Sequence, residues 1–121
     1  FSFRSDSEGQ SFLAIVANHG YDSLVRALLR SETPVMCNQR DAGGRTALFG
    51  AANRDRQACV TAILTYGQNV DVNLPDNDGC TPLWVAANMG MANALAALLQ
   101  DPRVDVNQPD KQQQCVHQID E

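Results

Sequence analysis

Apolar side chains recur along this chain at helical spacing, in short runs separated by polar turns. Leu48, Ala51 and Ala52 fall at i, i+3 and i+4, and Leu83, Ala86 and Ala87 repeat the arrangement. Each trio predicts a short helix with one face turned toward a core. A second set of runs follows the first: Leu24, Val25, Leu28 and Leu29, then Cys59, Val60, Ile63 and Leu64, then Ala94, Leu95, Leu98 and Leu99. Each of these predicts a second helix with its own core-facing stripe. The two sets alternate on a longer beat. Leu13, Leu48 and Leu83 stand 35 residues apart, as do Ala17, Ala52 and Ala87, and Leu29, Leu64 and Leu99. A fixed period of this size predicts a stack of similar helix–turn–helix units. Such an array normally offers a binding surface and has no enclosed active-site pocket.

The polar residues between the runs predict how each helix starts and stops. Every unit opens on an Asp with a Gly three residues on: Asp6 and Gly9, Asp41 and Gly44, Asp76 and Gly79. Asp favours the start of a tight turn, and Gly supplies the positive φ that the turn requires. Ser11, Thr46 or Thr81 then offers a hydroxyl to the free N–H groups of the first helix. Pro82 fits the first helical position, where a missing N–H does no harm. Gly20 and Gly90 mark a left-handed end to the first helix. Asp55 holds that place in the middle unit, as the next most tolerable residue. Gly67 marks the end of the second helix there. The units close on Cys37-Asn38, Asp71-Val72-Asn73 and Asp105-Val106-Asn107, read as extended turns. The Asn of each closing turn is expected to hydrogen-bond its own hairpin.

The run Asp76-Asn77-Asp78-Gly79-Cys80-Thr81-Pro82-Leu83-Trp84-Val85-Ala86-Ala87 resembles the core motif of the ankyrin repeat. The resemblance covers about residues 6–111 and has one clear departure. Where the family usually carries His, this chain has Ala14, Phe49 and Trp84. The implied fold is all-α: an ankyrin-repeat solenoid of helix–turn–helix units linked by β-hairpin-like turns. One domain is expected over residues 1–121, with repeats at about 6–40, 41–75 and 76–109 and a degenerate or truncated fourth over 110–121. The pattern decays there because Gln112, Gln113 and Gln114 stand where the turn glycine belongs. The resemblance further implies a non-catalytic scaffold that binds a protein partner through a concave groove and the hairpin tips. An ankyrin appendage that regulates an enzyme or recruits its substrate is the alternative, as is a structural subunit of a multiprotein complex.

Composition narrows this picture. With 121 residues, 44% hydrophobic and 19% charged, the chain reads as a folded domain. The formal net charge of -5 argues against gripping nucleic-acid phosphates. No apolar run reaches the length of a bilayer span, and the start shows no signal-peptide pattern. Phe1 in place of Met reads as a fragment or a processed product, part of a larger protein or assembly. Cys37, Cys59, Cys80 and Cys115 show neither a C-x-x-C pair nor clustered His, so no metal is expected. Cys80 and Cys115 sit one period apart. Units packed roughly 8–10 Å from each other would hold them beyond the roughly 7 Å reach of a disulfide. All four are therefore expected as free thiols in an intracellular, reducing compartment, cytoplasmic or nuclear. His19 and His117 are too far apart to pair, and neither stands in a nucleophile motif. No catalytic residue and no cofactor is expected.

The candidate partner-binding residues follow from the resemblance by position: Arg40, Arg45, Asn53, Arg54, Trp84, Asn88 and Met89, with Arg56 nearby. Asn77, Ala42 and Cys80 belong to the same surface, and Gln10, Asn18 and His19 are the first unit's counterparts. Four arginines at the middle unit fit a docking patch for an acidic or phosphorylated segment. They fit equally a solvated face pairing with Asp41, Asp55 and Asp76. Trp84 is expected to pack on the core, with a ring edge toward the groove. The helix over 91–99 is apolar nearly all round. Residues 110–121 or further repeats would cover it, or another chain would.

Overall fold

The computed structural model describes residues 12–31, 37–67 and 69–106. Six helices stand among them: α1 (Phe12–Asn18), α2 (Asp22–Arg30), α3 (Ala47–Asn53), α4 (Gln57–Tyr66), α5 (Pro82–Asn88) and α6 (Ala92–Leu99). They form three pairs in two layers. The first helices α1, α3 and α5 stack side by side, and the second helices α2, α4 and α6 stack behind them. The core runs between the layers and joins all three pairs. Leu13, Leu48, Phe49, Val25, Val60, Ile63 and Leu98 are buried in it, with Ala17, Ala51, Ala52 and Ala86 letting neighbouring first helices close in.

Local signals set the helix ends as the residue pattern anticipates. Thr46 Oγ1 accepts from the Phe49 N–H at 3.2 Å, and Thr81 Oγ1 accepts from the Trp84 N–H at 3.1 Å. Pro82 opens α5, and Gly67 closes α4. The chain turns between the paired helices at Gly20, Asp55 and Gly90, all with positive φ. The long turns are built alike. In the middle unit the Asp41 carboxylate accepts from the Gly43 and Arg45 N–H groups, and the Gly44 N–H donates to the Asp41 carbonyl. In the third unit Asp76 does the same for Asp78 and Cys80, which is why a carboxylate with 5% exposure is tolerated there.

Two expectations are corrected. Asn38 does not serve its own turn, and Asn73 likewise reaches out to the next one. Asn38 donates to the Asn69 carbonyl and accepts from the Asp71 N–H, and Asn73 donates to the Arg103 carbonyl and accepts from the Asp105 N–H. Each asparagine therefore ties one unit to the next, because stacking in register brings the closing turns side by side. Asn107 lies outside the described residues. The expectation of four free thiols also fails: Cys80 is disulfide-bonded, while Cys37 and Cys59 are buried thiols and Cys115 lies outside the described residues. Helix spacing was the wrong ruler for a hairpin position. Adjacent hairpins approach to direct hydrogen-bond distance, with the Asn77 N–H donating to the Gly43 carbonyl at 2.9 Å.

Candidate functional site

The four arginines at the middle unit divide by what they touch. Arg40 is committed. Its Nε donates to the Gly44 carbonyl and its guanidinium reaches the Pro75 carbonyl at 2.7 Å, one period further on. Arg56 is committed as well. Its Nε donates at 3.2 Å to the carbonyl of Asn18, the last residue of α1, where the helix leaves its final carbonyls without partners. The Arg56 stem passes over Gly20, where a Cβ would meet it at 3.1 Å. Both side chains bolt units together.

Arg45 and Arg54 remain open to solvent. The Arg45 guanidinium lies over the Phe49 ring, 5.3 Å from its centroid, with its side chain 46% exposed. Its nearest carboxylate is Asp76, at 3.8 Å, a loose contact. Arg54 caps the C-terminus of α3 through its backbone, and its side chain makes no hydrogen bond or ion pair among the described residues. The two cations thus stand at opposite ends of α3 and do not form one cluster. Asn53 is half-buried beside Arg54, and Asn88 holds the matching place on α5. Met89, the counterpart of Arg54 in the third unit, is 50% exposed. Trp84 packs partly buried against the core, as its position suggested, whereas Phe49 at the same place is fully buried. Gln10 lies outside the described residues.

Sequence reasoning missed the role of Asp55. Its carboxylate accepts at 2.9 Å from the N–H of Ala94, in the first turn of α6, and also from Asn93 Nδ2 at 3.3 Å. Helix α6 has no side-chain cap of its own, so the preceding unit supplies one. The signal was an Asp where the neighbouring units carry Gly20 and Gly90.

The outer face carries two depressions, of about 340 and 230 Å³, between α2 and α4 and between α4 and α6. Alanines and threonines of α4 line much of them, and neither lining contains a His or Cys. Cys59 is buried under α2, and burial, reinforced by the Asp22 charge, pushes its thiol up from the ordinary value. A thiol so placed is a poor nucleophile. Among the described residues no three His, Cys, Asp or Glu side chains converge as a metal site would require. None of the described helices is long and apolar enough to cross a membrane.

Stacked helical hairpins with capped first helices and interlocked turns define a repeat solenoid. The family model for ankyrin repeats (3 copies) matches residues 13–110, and the chain belongs to the ankyrin-repeat family. A crystal structure of EF0377, an ankyrin repeat protein, superposes with a TM-score of 0.78 at 20% sequence identity. The superposition covers 92% of this chain and 55% of that one. No curated protein sequence matches the chain significantly. Ankyrin repeats are in general protein–protein interaction modules, and the fold is typically non-catalytic.

Proposed function

We propose that the chain is a non-catalytic scaffold that binds a protein partner across the hairpin tips and the exposed side of the first helices. The contact set is Arg45, Asn53, Arg54, Trp84, Asn88 and Met89, with the exposed Arg40 and Arg56 tying neighbouring units together. The observation that carries this reading is the division among the arginines. All four are exposed, but two donate to carbonyls across junctions, whereas Arg45 and Arg54 make no side-chain hydrogen bond among the described residues, on the side that ankyrin arrays use for binding. A preformed surface loses little freedom on binding, which favours affinity. Aromatic and arginine side chains are also the residues that most often dominate an interface.

The test is affinity purification followed by mass spectrometry, with the wild-type chain and the Arg45→Glu/Arg54→Glu double variant as paired baits. The expected result is a partner recovered by the wild type and lost from the variant, with both melting at the same temperature. Recovery of the same proteins by both baits would overturn the reading.

The exposed end of the third pair favours a second reading, a unit docked permanently in a larger array or complex. Leu99 is 54% exposed, and Ala87 is exposed where its counterparts Ala17 and Ala52 are at 0%. Apolar surface at that end is what a further unit or another chain would cover.

A further inference from the structure

Resting on the groove reading above, we propose that the occupant of this surface is an extended acidic segment. It would carry two carboxylates three residues apart, one for Arg45 and one for Arg54. Charge and spacing both point there. Asp76, the carboxylate nearest Arg45, is 3% exposed in its side chain, and its Oδ1 is filled by the N–H groups of its own turn. The Arg45 guanidinium carbon lies over the Phe49 ring, 5.3 Å from its centroid, an apolar neighbour that leaves the N–H donors for a carboxylate in front. Arg54 has no side-chain partner among the described residues.

The two arginines flank α3 nine positions apart, roughly 13.5 Å at about 1.5 Å per residue. A polyproline II segment rises about 3.1 Å per residue with three residues per turn, so side chains at i and i+3 share one face about 9 Å apart. Two acids at that spacing fall about 4 Å short of the backbone separation, a gap that two long arginine side chains close by leaning toward each other. The register is fixed on the middle unit as well. On the third unit the positions matching Arg45 and Arg54 are Cys80, which is buried, and Met89, which is uncharged. The pair of open cations therefore occurs once among the described residues.

The experiment is selection of a random short-peptide phage library on the purified wild-type chain, on Arg45→Glu, on Arg54→Glu and on Asn53→Arg. Circular dichroism melts would confirm that each variant folds. Wild-type winners should carry Asp or Glu at two positions three apart, and a synthetic winning peptide should lose roughly tenfold or more in affinity from low to high salt. Arg54→Glu should replace one acid by Lys or Arg and keep the other, and Arg45→Glu should exchange the opposite one. Winners without an acidic pair, an acid preference unchanged in both charge-reversal variants, or no enrichment at all would overturn the inference. Non-acidic winners that Asn53→Arg abolishes would sink the acidic occupant yet leave the groove reading standing. Winners that bind all four proteins alike would sink both.

Discussion

Asp55 and Arg56 are neighbours in the chain and serve opposite junctions. Arg56 reaches back to a carbonyl at the end of α1, and Asp55 reaches forward to an amide at the start of α6. Asp55 also holds φ at 58°, which costs Ala more than Asp or Gly. Asp55→Ala loses both the cap and the favoured backbone, and is expected to cost about 2 kcal/mol in urea unfolding. Asp55→Gly keeps the backbone and should cost about 1 kcal/mol or less. An Asp55→Gly variant as stable as the wild type would show that the cap contributes nothing. Asn18 offers a second test at this scale. Its Oδ1 is buried without a hydrogen-bond partner and fills the space over Gly50, inside α3. Gly50→Ala alone should therefore gain nothing, although alanine is worth about 1 kcal/mol over glycine in a helix. The double change Asn18→Ala/Gly50→Ala frees that space and removes the orphaned acceptor. It should exceed the wild type by about 1 kcal/mol in a double-mutant cycle.

The six helices divide by how their ends are satisfied. First helices α3 and α5 are capped by threonines three residues from the amides they serve, and those caps were legible because donor and acceptor are close in sequence. The turns of Asp41 and Asp76 were legible for the same reason. Second helices α2, α4 and α6 lack side-chain caps of their own. For α6 the replacement comes from 39 residues away, Asp55 on Ala94, and across the same separation Arg103 reaches the Leu64 carbonyl near the end of α4. Periodicity places such residues in a column, yet it does not say which of them reach across. A local rule gives Asn38 to its own turn, and the register of stacking overrides it. Arg103 also grips Asp101 at 2.7 Å, and that hydrogen bond holds the Asp101 carboxyl below its ordinary value of 3.8. A carboxyl depressed in the folded state stabilises above its unfolded value, and the contribution fades as pH falls through the range below it. The gap in melting temperature between the wild type and Arg103→Ala should accordingly be larger at pH 7 and narrow toward pH 2, leaving the share of the Leu64 carbonyl bond. A constant gap would refute the coupling. Cys59 in α4 should resist thiol reagents until the array unfolds, as timed labelling in urea would show.

Across the whole molecule the middle pair is flanked on both sides. Helix α3 buries six of its seven residues. Stability in a stacked array is nearly a sum of each unit and its contacts with neighbours, so the centre should open last. Native-state hydrogen exchange is expected to be slowest in α3 and α4 and faster in α6, where Leu99 lies exposed. The division of labour between Asp55 and Arg56 also bears on how such a chain can be rearranged. The first junction needs a cation that reaches back over a glycine, and the second needs an anion that reaches forward. The place that Asp55 fills is Gly90 in the third unit, which has no side chain to offer a successor. The units are therefore not interchangeable bricks. Duplicating or transposing one as a 35-residue block would copy the helices faithfully and leave the seams mismatched. The order of the repeats is written at their joints, in two adjacent residues of opposite charge.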